Sequence, residues 1–213
     1  MSEIKKKNID QDIFSGKNLQ ISIMDEYEKY RTQYSDPYGD FSAIFKKRPG
    51  KKILAKICNY VNDYRSFRMA GEHIGIPSYI RDIPVTIIGQ FVFSHIEMKS
   101  ISLPKELQII EMGAFSSNKL EEVHLPESLL KIDIAAFADN NLTEIYIPKN
   151  VKTINDAAFD KNPLKKITIP SGIEIKCYTI DGIWRMFCLC YLKNKRKGGT
   201  YVFDENSWTL KDK

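Results

Sequence analysis

What this chain has little of narrows its chemistry before any motif is read. It has four cysteines, Cys58, Cys177, Cys188 and Cys190, and no C-x-x-C pair. A zinc site needs a ligand set at recognisable spacing, and none is present, so no metal is expected. Its three histidines, His73, His95 and His124, form no H-x-x-x-H pair, which removes the helical metalloprotease motif. There is no glycine-rich phosphate loop and no nucleophile elbow, so neither a cofactor nor a catalytic constellation is expected. No apolar run is long enough to cross a membrane; Ile183 to Leu192 is short and contains Arg185. A strong excess of one charge is also missing. Lys and Arg number 32 against 27 Asp and Glu, a net charge of +5 spread along the chain. A dedicated nucleic-acid protein concentrates its basic residues. The opening Met1-Ser2-Glu3-Ile4-Lys5-Lys6-Lys7 has no apolar core behind it, so the chain as written reads as cytoplasmic.

What is present is a period. Pro104, Pro126, Pro148 and Pro170 recur at one spacing (126 − 104 = 22). Phe93, Phe115, Phe137 and Phe159 keep the same spacing, as do Asn118, Asn140 and Asn162, and Leu120, Leu142 and Leu164. A period in the twenties built on Leu, Ile and Val marks a leucine-rich-repeat solenoid, in which no unit buries its own apolar face and neighbours must stack. Within one unit, Val123 and Leu125 belong on the inner face of a short strand and His124 points out. Pro126 ends the strand, because it has no N–H for a ladder. Leu129 and Ile132 return to the core, Ala136 leaves room for the next turn, and the phenylalanines stack as a buried spine. The Asn side chains hydrogen-bond backbone groups where the chain turns back.

The words LEEVHLP, LTEIYIP, KNVKTINDAAF and PKELQIIEMGAF resemble the BspA-like, treponemal-type leucine-rich repeats. The resemblance runs from Tyr64 to Ile175, roughly half of the chain. Together with the flanking patterns below, it leads to an expected α+β repeat solenoid of about five 22-residue repeats, with a helical N-terminal cap over 1–66, the array over 67–175 and a β-meander cap over 176–213. It also implies a non-catalytic, protein-binding role. Members include bacterial adhesins and are often secreted or surface-bound, so a surface location is the other reading.

The flanks are expected as follows. Ile21, Met24, Tyr27 and Tyr30 have helical spacing, and Ser35-Asp36-Pro37-Tyr38-Gly39-Asp40 ends that helix. Ile53, Ile57, Val61 and Tyr64 mark a second helix, and the two together suit a solenoid cap. Pro77 lies 16 residues before its Phe (93 − 77), against 11 later (115 − 104), so the first unit carries a five-residue insertion read as a loop. After Ile173 the register fails, since Lys176 stands where Ile is due. Trp184–Leu192 reads as a strand, Lys193–Gly199 as a turn and Thr200–Phe203 as a second strand. On that strand Cys188 and Cys190 face one side and cannot easily pair; free thiols are the reading.

The candidate site is a surface. The outward column reads Ser102, His124, Tyr146, Thr168, and a flanking column reads Ser100, Glu122, Glu144, Lys166. In a leucine-rich solenoid these line the concave face, and the partner-binding set is Ser102, His124, Tyr146, Thr168, Glu122, Glu144 and Lys166. An exposed Tyr among charged neighbours is a contact hot spot. The mixed signs favour a protein partner. The alternative is nucleic-acid or anionic-surface binding through the basic segments 45–52 and 193–197, which carries steep salt dependence.

Overall fold

The computed structural model describes residues 73–80, 82–179 and 181–211, and ahead of them the backbone of four strands. Those strands are β1 (Ile21–Met24), β2 (Lys29–Asp36), β3 (Gly39–Lys46) and β4 (Leu54–Val61). The array follows as β5 (His73–Gly75), β6 (Tyr79–Ile80), β7 (Ile83–Ile88), β8 (Ser100–Ser102), β9 (Ile109–Ile110), β10 (Lys131–Ile132), β11 (Glu144–Tyr146), β12 (Thr153–Ile154), β13 (Lys166–Ile169) and β14 (Glu174–Ile175). Helix α1 (Ile183–Lys193) and the hairpin β15 (Gly199–Asp204) and β16 (Ser207–Lys211) close the chain.

Each turn of the solenoid contributes to two faces. On one, β7, β9, β10, β12 and β14 stack in parallel, with Ile88, Ile110, Ile132, Ile154 and Ile175 paired rung to rung. The last rung is reached in 21 residues rather than 22 (175 − 154), so the register slips by one at Lys176 instead of failing. On the other face, β5 pairs β8 and β11 pairs β13, again in parallel. Residues Glu121–Leu125, between these two pairs, form no strand, yet Val123 and Leu125 are buried and His124 is exposed. The inside-out alternation survives there because burial of the two apolar side chains, not the ladder, sets which way each residue points.

The phenylalanine spine is continuous. Phe93, Phe115, Phe137 and Phe159 are fully buried, and their rings stack at centroid separations of 5.4, 5.2 and 5.4 Å. Each ring sits between two left-handed residues. Phe91, Gly113, Ala135 and Ala157 have φ of 54, 59, 52 and 55°, and His95, Ser117, Asp139 and Lys161 have φ of 59, 55, 58 and 51°. Only one of these eight is glycine, although L-residues lose roughly 1–2 kcal/mol in this region. Replacing the exposed Lys161 by Gly is therefore expected to stabilise the protein by about 0.5–1 kcal/mol, opposite in sign to the usual Gly substitution. Urea unfolding checks it; a destabilisation of that size would show that the turn holds this geometry for other reasons.

The flanks differ from the sequence reading. Four strands stand where two helices are expected. They form an antiparallel meander that joins the solenoid sheet through a parallel β4–β7 pairing. Tyr30-Arg31-Thr32-Gln33-Tyr34 and Phe41-Ser42-Ala43-Ile44-Phe45 are rich in aromatic and β-branched residues, as strands are. The helical spacing of Ile21 to Tyr30 spans parts of two strands and their connection. Asp36 pairs with Gly39, so the chain does reverse at the expected turn. The insertion in the first unit is not a plain loop: β6 folds back antiparallel on β7.

The tail contains a helix, not a strand, over 183–193. Trp184, Phe187, Cys188 and Tyr191 follow the i, i+3, i+4, i+7 rule and are the buried set. Cys188 and Cys190 therefore do not share a face. The cap still covers the last repeat as expected. Trp184 continues the spine, with its ring 5.1 Å from Phe159, and Phe187, Tyr191, Tyr201 and Trp208 pack behind it. The Tyr191 hydroxyl donates to the Pro170 carbonyl (2.7 Å) and accepts the Ile173 N–H (3.1 Å). Burial pushes both phenols up, Tyr201 to about 12. β15 pairs antiparallel with β13 and covers that sheet edge.

Candidate functional site

The outward residues of the β5–β8 and β11–β13 face form two columns. Register places Glu144 beside Lys166 and Tyr146 beside Thr168. It also places His73 beside Ser100 and Gly75 beside Ser102. Ser102, Glu122, His124, Glu144, Tyr146 and Lys166 are all exposed, with Tyr146 at 56%. Thr168 is half-buried, because β15 packs beside it and the Thr168 and Thr200 hydroxyls lie 3.1 Å apart. Five of the seven expected residues, Ser102, Glu144, Tyr146, Lys166 and Thr168, lie on these paired strands, and Glu122 and His124 are exposed on the strandless segment between the two pairs. Lys166 Nζ donates to Glu144 Oε2 at 2.8 Å. Exposed on both sides, that pair adds little stability but orients two charges next to Tyr146.

Two open hollows lie along the face. One, of about 770 Å³, is lined by His73, Lys99, Ser100, Glu121, Glu122 and Thr143. The other, of about 750 Å³, has Tyr146, Thr168 and Pro170 on one side and Lys149, Leu210 and Lys211 among the rest. Sequence reasoning missed His73, whose ring nitrogens lie 2.8 and 3.1 Å from the Ser100 and Ser102 hydroxyls. The signal was available: β5 precedes β8 by 27 residues (100 − 73), which is the period plus the five-residue insertion. The Leu210 and Lys211 wall comes from a hairpin outside the repeat register, so no column points to it.

A hydroxyl–imidazole pair on an open surface is a hydrogen-bonding feature. Among the described residues the His73 ring bonds only the Ser100 and Ser102 hydroxyls, with no third group orienting it as a base that activates a nucleophile is oriented. Among the described residues no group of three His, Cys, Asp or Glu side chains is placed to hold a metal ion, and no helix is long and apolar enough to cross a membrane. Of the basic segments, residues 47–52 lie outside the described residues. The 193–197 segment is exposed except where Asn194 packs at the end of α1. The path from β3, which ends at Lys46, to β14 crosses six strand spacings, on the order of 30 Å.

On the opposite face Asp133 accepts hydrogen bonds from Lys131 Nζ (2.8 Å), Asn155 Nδ2 (2.5 Å) and the Ile134 N–H (2.9 Å). Burial pushes its carboxyl up, but these donors outweigh burial and hold it below the usual carboxylate range. This group braces adjacent turns.

Comparison with known proteins gives consistent results. Residues 72–182, more than half of the chain, match the family profile described as BspA type leucine rich repeat region (6 copies). No curated protein matches. A leucine-rich repeat protein from Bacteroides ovatus aligns at 19% identity and TM-score 0.45, over 64% of this chain and 42% of that one. Another from Bacteroides capillosus aligns at 24% identity and TM-score 0.43, over 62% and 98%. The leucine-rich repeat protein of T. pallidum aligns at 18% identity and TM-score 0.45, over 66% and 86%. This chain thus spans less than half the length of the first of these.

Proposed function

The chain belongs to the BspA-type leucine-rich-repeat family, and from that premise we propose that it is a non-catalytic scaffold that holds a protein partner on its concave strand face. Solenoids of this kind generally mediate protein–protein interaction. The observation that carries the reading is the exposed Tyr146, flanked by the Glu144–Lys166 pair and bordering a hollow. A rigid aromatic ring gives contact area at low entropic cost, and the ordered charges on either side favour a complementary protein over a polyanion. Attachment to a protein of another cell or of the surrounding matrix is one form of this function, and an intracellular assembly is the other.

The test is retention of partners from source-cell lysate and from matrix extract, at low and high salt. Tyr146→Ala combined with Glu122→Lys is expected to weaken retention about 30-fold, the loss of one hot spot of roughly 2 kcal/mol, with thermal stability unchanged. A protein held at high salt and lost by the double variant supports the face. Retention of nucleic acid alone, abolished by salt and indifferent to the variant, would replace this reading with the basic segments.

A further inference from the structure

Resting on the concave-face reading above, we propose that the hollow beside Tyr146 takes an acidic peptide segment of the partner, which sets an apolar side chain against the Tyr146 ring and its carboxylates against Lys149 and Lys211.

The two hollows differ in kind. The one at His73 is mixed in sign, lined by Lys99 together with Glu121 and Glu122. The one at Tyr146 is lined by Lys149, Lys197 and Lys211 and, among the described residues, by no carboxylate. Tyr146, Pro170 and Leu210 supply its apolar walls. Two carboxylates come near in sequence or register without lining it. Glu144, two residues before Tyr146, is held by Lys166 at 2.8 Å. Glu127 lies one turn before Lys149 (149 − 127 = 22) and is not part of the wall. Among the described residues neither Lys149 nor Lys211 is held in an ion pair. A carboxylate arriving here therefore meets ammonium charge that no neighbour has cancelled.

The walls are fixed before a partner arrives. The Gly198 N–H donates to Ser171 Oγ at 3.1 Å and the Gly172 N–H to the Arg196 carbonyl at 2.9 Å, which ties the 196–198 turn to the end of β13. A Cβ on Gly198 would stand 2.5 Å from the Ser171 nitrogen, so the approach needs glycine. Leu210 lies over Gly199, where a Cβ would meet its Cδ1 at 2.6 Å. A preformed wall lowers the ordering cost of binding. The volume of about 750 Å³ falls within the usual range of binding clefts. A nucleic-acid strand needs basic contacts along its length, and the next charges on the face, Glu144 and Lys166, already cancel each other. A peptide can confine its carboxylates to the hollow and fill the apolar part with one side chain.

The experiment pans a random heptapeptide library, displayed on phage, against the full chain and measures the enriched peptides by fluorescence anisotropy at low and high salt. Peptides with Asp or Glu flanking an apolar residue are expected. Lys149→Glu with Lys211→Glu is expected to weaken them about tenfold at low salt and less at high salt. Tyr146→Ala is expected to weaken them about tenfold at both. Lys105→Glu with Lys161→Glu makes the same change of net charge at exposed lysines outside the hollow, and is expected to leave binding within about twofold. All of these positions are exposed, so the fold is retained. Enriched peptides that carry no acidic excess and ignore the lysine pair, yet are lost with Tyr146→Ala, overturn the acidic segment and leave the concave-face reading standing. No enrichment, or peptides indifferent to Tyr146→Ala, overturns both. Equal losses from the two lysine pairs, or displacement of every peptide by heparin or a single-stranded oligonucleotide at low salt, would assign the hollow to polyanions and overturn the proposal.

Discussion

Phe137→Ala is expected to cost on the order of 3–5 kcal/mol in urea unfolding, a large part of the stability of a domain this size. The ring is fully buried in mid-column, with neighbours at 5.2 and 5.4 Å, so its removal strips one face from two other rings and opens a cavity that the stacked turns cannot close. Phe91→Ala is the control. Phe91 sits two residues before a spine position but is 55% exposed, and its loss is expected to cost under about 1 kcal/mol. Equal costs at the two positions would mean that the column is not a load shared from turn to turn.

Asn140→Ala comes next, at roughly 3 kcal/mol. The Asn140 amide donates to the carbonyls of Phe115 and Phe137 at 3.0 and 3.1 Å, and its oxygen accepts the Leu120 N–H at 3.1 Å. Its removal leaves buried backbone groups unpaired, at about 1–3 kcal/mol each before relaxation or water offsets part of the loss. Asn140→Asp separates hydrogen bonding from shape. The carboxylate has the same outline but no donor, and it faces carbonyl oxygens, so its cost at neutral pH is expected to equal or exceed that of Ala. A mild Asp variant would show that size, not donation, matters at this position. Both effects come from columns visible at a fixed spacing, and chemical denaturation of the four single variants tests them together.

The solenoid was legible because its constraints recur. One Pro, one Phe, one Asn and a set of aliphatic positions repeat in step, and each copy confirms the others. The inward and outward residues of the strand face followed from period 2, so Ser102, His124 and Tyr146 could be placed in one column. The flanks were not legible, because nothing there repeats. Over Trp184–Leu192 every second residue is apolar, and so is nearly every other; alternation and the helical stripe of Trp184, Phe187, Cys188 and Tyr191 coexist, and packing on Phe159 decides. At the N-terminus four apolar residues matched a helix, while the denser aromatic and β-branched content of Lys29–Lys46 belonged to a hairpin. The hollow beside Tyr146 depends on Leu210 and Lys211, which tertiary folding alone brings to that place.

The asparagine ladder sets an order of assembly. Asn118, Asn140 and Asn162 each donate to their own turn and to the Phe carbonyl one turn earlier, at 2.7, 3.0 and 2.8 Å. Each also accepts an N–H from the segment that begins the same unit or the one before it, such as Leu142 for Asn162. During synthesis every partner of such an asparagine's side chain has already left the ribosome when the asparagine itself emerges. The array can therefore grow as a zipper from its N-terminal side, one turn at a time, each new turn using the last as its template. Trp184, made after all four phenylalanines, closes the zipper only when the final turn is in place.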